Sequence, residues 1–67
     1  MLDTIIATGI SREAALFVLK DMAKKISRTG GQVIAQYESS FVYMDAAGAE
    51  KLIYYRESDQ NIMQRES

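Results

Sequence analysis

Side chains that could bind an anion cluster between residues 12 and 28. This segment holds five cations against two carboxylates, although the whole chain has a formal net charge of −1. Lysine and arginine bind phosphate through charge-assisted hydrogen bonds, so these cations are candidate nucleic-acid contacts. The same side chains would stabilise the C-terminal end of a helix, and the near-neutral balance of the chain favours that structural role. The candidate contacts are Lys20, Lys24, Lys25 and Arg28.

Catalytic and metal-binding groups are scarce. The chain contains no cysteine and no histidine, which supply most nucleophilic sites and most transition-metal ligands. Lys24 and Ser27 lie within one predicted helix and lack a third group to orient them. Asp45 and Glu50 flank a predicted loop, where they could act as acid and base, bind a hard cation, or simply face solvent. We therefore predict a protein without enzymatic activity, cofactor or metal.

The stretch ATGISREAALF, from Ala7 to Phe17, contains a glycine followed by an apolar residue, a capping serine and a helix-forming run. Gly9 and Ile10 occupy the positions expected of a tight turn between two helices. In this respect the stretch resembles the turn of a helix-turn-helix DNA-binding motif. The second helix of such a motif offers polar side chains to base edges, but this one offers Leu16 and Phe17. DNA recognition is thus the alternative rather than the leading hypothesis.

The strongest helical pattern runs from Arg12 to about Arg28. Ser11 is a favourable N-cap, and the Thr29-Gly30-Gly31 run ends the helix. At 100° per residue the apolar side chains form one broad stripe that another layer should cover. Phe17 points almost opposite to it. The stripe consists of Ala15, Leu16, Val18, Leu19, Met22, Ala23 and Ile26.

The following segment is rich in β-branched and aromatic residues and predicts strands. The candidate runs are Gln32 to Tyr37, Phe41 to Met44, and Leu52 to Tyr55, with a hairpin loop over residues 45–50. Ser39-Ser40 forms either a second tight turn or the middle of one long bent strand. These runs predict a small two- or three-stranded antiparallel sheet packed on the helix, and hence an α+β fold.

The two ends of the chain are less regular. Asp3 to Thr8 predicts a short N-terminal helix or turn that ends at Gly9, with an extended segment as the alternative because of its β-branched residues. Residues 58–67 are polar except for Ile62 and Met63, and they predict a tail or a short helix capped by Ser58. The expected compact domain therefore covers residues 1–57.

A hairpin centred between Ala47 and Gly48 would leave apolar side chains on both faces of the sheet. The helix would cover one face, such as the one that carries Val33, Ala35, Tyr37, Val42, Met44, Ile53 and Tyr55, but the sequence leaves open the strand register on which this choice depends. Surplus apolar surface usually contacts a partner. Tyr43 and Tyr54 could instead belong to the core or to a dimer contact. The predicted protein-interface residues are Phe17, Phe41, Tyr43, Leu52 and Tyr54.

A chain of 67 residues buries only about 60% of its unfolded surface, and without cysteine or histidine oligomerisation is the expected supplement. Met1-Leu2-Asp3 lacks a basic segment and no long apolar run follows, so we expect a cytoplasmic protein without membrane contact. We predict a small non-enzymatic, protein-binding regulator or inhibitor that acts as a homo-oligomer. Accessory proteins of phages and other mobile elements often share these features. The alternative is a small DNA- or RNA-binding regulator that stacks bases on its sheet aromatics.

Overall fold

One helix lies across one face of a five-stranded antiparallel sheet in the computed structural model, which describes residues 2–66. The strand order is β1-β5-β4-β3-β2. This arrangement confirms the α+β class, but the sheet is larger than the two or three strands predicted. The elements are β1 (Asp3–Ala7), α1 (Arg12–Arg28), β2 (Gln32–Gln36), β3 (Ser40–Met44), β4 (Glu50–Arg56) and β5 (Asn61–Glu66).

Helix α1 has the predicted bounds. The Ser11 hydroxyl accepts a hydrogen bond from the Ala14 backbone N–H at 3.3 Å, and Glu13 lies in the first turn. Every residue of the predicted apolar stripe is buried or half-buried, whereas the Phe17 side chain is 72% exposed. The period of the apolar residues therefore identified the buried side of the helix correctly.

Gly31 ends the helix at a point of close approach. Its backbone N–H donates to the Ile26 carbonyl at 3.0 Å. A Cβ atom at this position would lie 2.5 Å from Ile26 Cγ2 and 3.3 Å from the Met44 carbonyl oxygen. Only glycine fits there without displacing its neighbours, so this residue sets how closely α1 approaches the sheet.

The N-terminal segment is a strand, which corrects the prediction of a short helix or turn. β1 pairs with β5 at one edge of the sheet, with Ile5 opposite Met63 and Ala7 opposite Ile62. Its β-branched residues favour extended backbone, and β5 supplies the hydrogen-bonding partner that local propensity could not reveal. The extended alternative was the correct one.

The C-terminal segment is also a strand, not a polar tail or a short helix. β5 lies between β1 and β4, and Ile62 and Met63 are 0% and 3% exposed. The folded unit therefore continues past residue 57 to at least residue 66, because the sheet depends on β5 to join β1 to β4. Met1 and Ser67, of which Ser67 ends the predicted tail, lie outside the described residues.

The β3–β4 hairpin is shifted by one residue from the predicted register. Phe41 pairs with Ile53 and Tyr43 with Lys51, whereas the prediction paired them with Tyr54 and Leu52. The cause is a three-residue loop, closed where the Asp45 N–H donates to the Ala49 carbonyl at 2.9 Å. An odd number of loop residues moves the pairing by one position relative to the even loop that we assumed.

This shift reverses the faces of β3 relative to β4, since successive side chains on a strand point to opposite sides, whereas Ile53 and Tyr55 on β4 face α1 as predicted. Phe41 and Tyr43 face α1 and are 1% and 9% exposed. Val42 and Met44, which we expected under the helix, lie on the opposite face. The core beneath α1 contains Ala15, Leu19, Ala23, Phe41, Tyr43, Ile53, Tyr55 and Ile62.

Candidate functional site

The sheet face opposite α1, called the far face here, is not covered by any element of residues 2–66. Val42 on β3 lies directly opposite Leu52 on β4, and Tyr54, Met63 and Ile5 form a row across three strands. Met63 is buried, Val42, Leu52 and Tyr54 are half-buried, and Ile5 is 52% exposed. The far face is therefore an apolar surface that meets water in the single chain.

Asp3, Tyr54 and Arg65 form a hydrogen-bonded polar cluster at the edge of the far face. The Arg65 guanidinium donates two hydrogen bonds to the Asp3 carboxylate, at 2.9 and 3.1 Å, and the Tyr54 hydroxyl donates a third at 2.5 Å. The Arg65 guanidinium also lies 5.5 Å from the centre of the Tyr54 ring. The cluster links β1, β4 and β5 and fixes the orientation of the Tyr54 side chain.

Hydrogen bonding to Asp3 changes the pKa of both of its partners and of Asp3 itself. The bonds from Arg65 and then from Tyr54 lower the pKa of Asp3 from 3.8 to about 2, because they stabilise the carboxylate. The bond to Asp3 raises the pKa of Tyr54, and it also raises that of Arg65. Asp3 is therefore ionised in the folded protein at neutral pH, and Arg65 neutralises its charge.

A second surface lies on the other side of the molecule, where α1 runs antiparallel beside the edge strand β2. We call it the α1–β2 groove. Lys20, Lys24 and Arg28 line it from the helix, and Val33 and Gln36 line it from the strand. Past the end of β2 lies a second hollow, lined by Leu16, Tyr37, Glu38 and Phe41. Arg12 and Glu38 form an ion pair near this end.

Three of the four predicted anion contacts therefore come together in one place. Lys20, Lys24 and Arg28 are exposed and follow each other at intervals of four residues, about 6 Å apart along the helix axis. Lys25 lies on the same helix but does not line the groove. Within the described chain, none of these four residues forms an ion pair.

The predicted protein-interface residues are divided among three places. Leu52 and Tyr54 lie on the far face, and Phe17 lies on the helix beside Leu16 and Lys20, next to the end of the α1–β2 groove. Phe41 and Tyr43 are core residues and are unavailable to a partner in this fold. They were expected on the uncovered face, and the structure places them under α1 because the hairpin register differs by one residue.

Sequence reasoning missed several residues that contribute to the two surfaces. Tyr37, expected under the helix, is 64% exposed, and Ile34 on the open edge of β2 is 48% exposed. A bulge between Val33 and Ala35 interrupts the alternation of β2, so a simple period of two cannot place these side chains. Ile5 was missed because its segment was expected to be helical.

Asp45 has a structural role in the hairpin loop. Its carboxylate accepts hydrogen bonds from the backbone N–H groups of Ala47 and Ala49, at 3.0 and 2.9 Å, and lies 3.3 Å from Lys51 Nζ. These contacts, with the Ala49 bond first, lower the pKa of Asp45. Among residues 2–66 there is no group of three or more side chains placed to hold a metal ion.

The helix-turn-helix arrangement is not formed. The motif requires a helix before Gly9, but that segment is β1, which pairs with β5. Ile10 packs against the core, and its backbone carbonyl accepts a hydrogen bond from the Tyr55 hydroxyl at 2.6 Å. The Gly9-Ile10-Ser11 sequence therefore joins a strand to a helix.

Comparison with known proteins finds no family model, no curated protein and no solved structure that matches this chain. No helix in the described part of the chain is long and apolar enough to cross a membrane. The functional assignment accordingly depends on the two surfaces themselves.

Proposed function

We propose that this chain is a non-enzymatic binding protein that assembles with a second copy of itself through the far face. We further propose that the assembly acts in the cytoplasm as a regulator or inhibitor of another protein. The observation that carries it is the uncovered apolar far face, with Val42, Leu52, Tyr54 and Ile5 on neighbouring strands. An antiparallel sheet with two apolar faces needs a covering layer on each, and α1 supplies only one.

The dimensions of the molecule support a face-to-face dimer. Its two longer principal extents are 31 and 25 Å, and the third is 16 Å. A stable interface buries about 800 Å² on each partner, an area that a face of this size can provide. Asp3 and Arg65 already neutralise each other, so covering them leaves no unpaired charge.

The first experiment is light scattering behind size exclusion at two protein concentrations. We expect about twice the chain mass of 7.5 kDa for the native protein. Leu52→Lys and Ile5→Lys each place a charge on the far face and should give monomers. Ile5 is already half exposed, so a lysine at this position can reach water and the monomer should still fold. Circular dichroism of the variant verifies that it is folded.

Phe17→Ser is the matched control. It removes an apolar side chain that is exposed, like Ile5, but lies on α1. This variant should leave the mass of the dimer unchanged. A native protein that stays monomeric at both concentrations would refute the proposed assembly. Dissociation by Phe17→Ser, with no effect of Leu52→Lys, would move the interface to α1.

The row of Lys20, Lys24 and Arg28 favours a second candidate function, which is binding of DNA or RNA through phosphate contacts. This alternative no longer includes base stacking by Phe41 and Tyr43, because both are buried. Retention on heparin or on a labelled oligonucleotide, lost with increasing salt and with Lys24→Glu, is the result that would support it.

A further inference from the structure

We propose that the α1–β2 groove binds an extended, acidic segment of the partner protein, which adds to the free edge of β2 as a sixth strand. This inference deepens the proposed function and depends on its claim that the chain binds another protein. It assigns a surface and a partner chemistry to that claim, and it is independent of the far face.

The edge of β2 is open to pairing. β2 is the last strand of the sheet, and no described residue bonds to its outer backbone groups. Native edge strands are blocked by lysine or proline, by a β-bulge or by being short; β2 reads QVIAQ and carries no lysine or proline, although its five residues include the bulge between Val33 and Ala35. Gln32, Ile34 and Gln36 are exposed along it.

The positive charges on α1 beside this edge favour a partner segment that is acidic. Lys20, Lys24 and Arg28 stand beside this edge about 6 Å apart along the helix. Alternate side chains of an added strand lie on one face at intervals of about 6.7 Å. Carboxylates at alternate positions would therefore each meet one of these cations, which find no carboxylate within the described chain.

The orientation of the segment follows from the sheet. Every strand pair in it is antiparallel, so an added strand would run antiparallel to β2 and begin beside Gln36, where Leu16 and Lys20 also line the groove. Its N-terminal part would lie near Leu16, Phe17 and Tyr37, where the exposed surface is apolar and aromatic. Its C-terminal part would lie near Arg28. The expected segment thus begins with an apolar residue and continues with alternating acidic ones.

A second copy of the chain is a poor occupant of this edge. Antiparallel pairing of two β2 strands places both helices on the same side of the joined sheet. The two rows of Lys20, Lys24 and Arg28 would then face each other, and like charges at such a junction oppose association. The same cations that attract an acidic segment disfavour self-pairing here.

The test is a fluorescence anisotropy titration with a labelled peptide, Leu-Thr-Glu-Thr-Glu-Thr-Glu, using the native full-length chain. We expect saturable binding that weakens as salt is added, and slower hydrogen exchange of β2 backbone amides in the complex. Lys24→Glu should weaken binding about tenfold. Lys25→Glu is the matched control, because it makes the same charge change on the adjacent residue outside the groove, and it should have little effect.

Absence of binding, equal losses for Lys24→Glu and Lys25→Glu, or equal binding of the peptide with glutamine in place of glutamate would each overturn the inference. Tighter binding of an oligothymidine with the same dependence on Lys24 would also overturn it, by assigning the groove to nucleic acid. The far-face variants should bind the peptide normally. A native dimer without peptide binding defeats only this inference, whereas peptide binding by a native monomer defeats only the proposed assembly.

Discussion

At the scale of single residues, one side chain, or the lack of one, can fix how two or three elements of the fold meet. Asp3 illustrates this, since one carboxylate accepts bonds from Arg65 and Tyr54 and so ties β1 to β5 and β4. Gly31 acts in the opposite way: because it has no side chain, the chain can pass closely between Ile26 of α1 and Met44 of β3. Neither role is visible in the residue type alone, since each depends on partners that are distant in sequence.

The Asp3 carboxylate should make folding stability sensitive to acid. Its pKa in the folded protein, about 2, lies below the ordinary value of 3.8, so the stabilisation is complete above pH 3.8 and is lost as the pH falls toward 2. In Asp3→Asn, the thermal midpoint should therefore fall less steeply between pH 5 and 2 than in the native protein. Thermal melts by circular dichroism at several pH values measure this slope.

Tyr54→Phe is the graded control for that measurement, because it removes one of the bonds to Asp3 and leaves the Arg65 pair intact. Its slope should lie between those of the native protein and Asp3→Asn. Identical slopes for all three proteins would show that this carboxylate does not govern acid unfolding.

Gly31→Ala should lower the free energy of unfolding by about 1–3 kcal/mol, the usual range for a methyl group forced into a packed site. The added Cβ would meet Ile26 Cγ2 at 2.5 Å. Gly48→Ala is the comparison, since its Cβ would meet nothing within 4 Å and only its positive φ of 88° opposes the change. Urea denaturation measures both losses, and a loss well under about 1 kcal/mol for Gly31→Ala would contradict the close approach.

At the scale of elements, periodicity predicted α1 well but could not predict β1 and β5. A helix of 17 residues carries its apolar stripe over several turns, which makes the pattern unambiguous. β1 and β5 have only five and six residues, and each is stabilised by pairing with the other across more than fifty positions of chain. Short segments acquire their structure from such partners, which local patterns do not reveal.

The central position of β5 predicts a large effect of substitutions that a polar tail would tolerate. Ile62 is fully buried between β1 and β4, and Ile62→Ala should cost about 2–5 kcal/mol of folding free energy. Ile34→Ala removes the same atoms from an exposed position on β2, and it should cost under about 1 kcal/mol. Urea denaturation compares the two, and similar small losses would argue that β5 does not belong to the folded core.

At the scale of the whole molecule, α1 covers only one of the two faces of the sheet. The core lies between α1 and one sheet face, while the far face and the α1–β2 groove, which we propose as binding surfaces, lie outside it. The light-scattering and peptide experiments test these surfaces separately. If both proposals hold, the protein would bind a partner segment through the groove while it is assembled through the far face.

The candidate site was partly predictable. The cations Lys20, Lys24 and Arg28 were identifiable as a group because they follow helical spacing within a helix that the sequence defines clearly. The open edge of β2 beside them was not, because nothing local shows which strand ends a sheet. Leu52 and Tyr54 lie on the uncovered face as predicted, whereas Phe41 and Tyr43 lie under α1. The length of the hairpin loop sets the register, and a change of one residue moves the β3 side chains to the other face of the sheet.

By itself the sequence determined the helix, its buried stripe, its cap and stop, the α+β class, and the lack of histidine and cysteine chemistry. These properties depend on residue type and on contacts within a few positions. The tertiary structure alone decided the five-stranded order, the hairpin register, the roles of the two chain ends, and which apolar side chains meet water. Those properties depend on pairings between distant segments, whose free energy exists only once the whole sheet has formed.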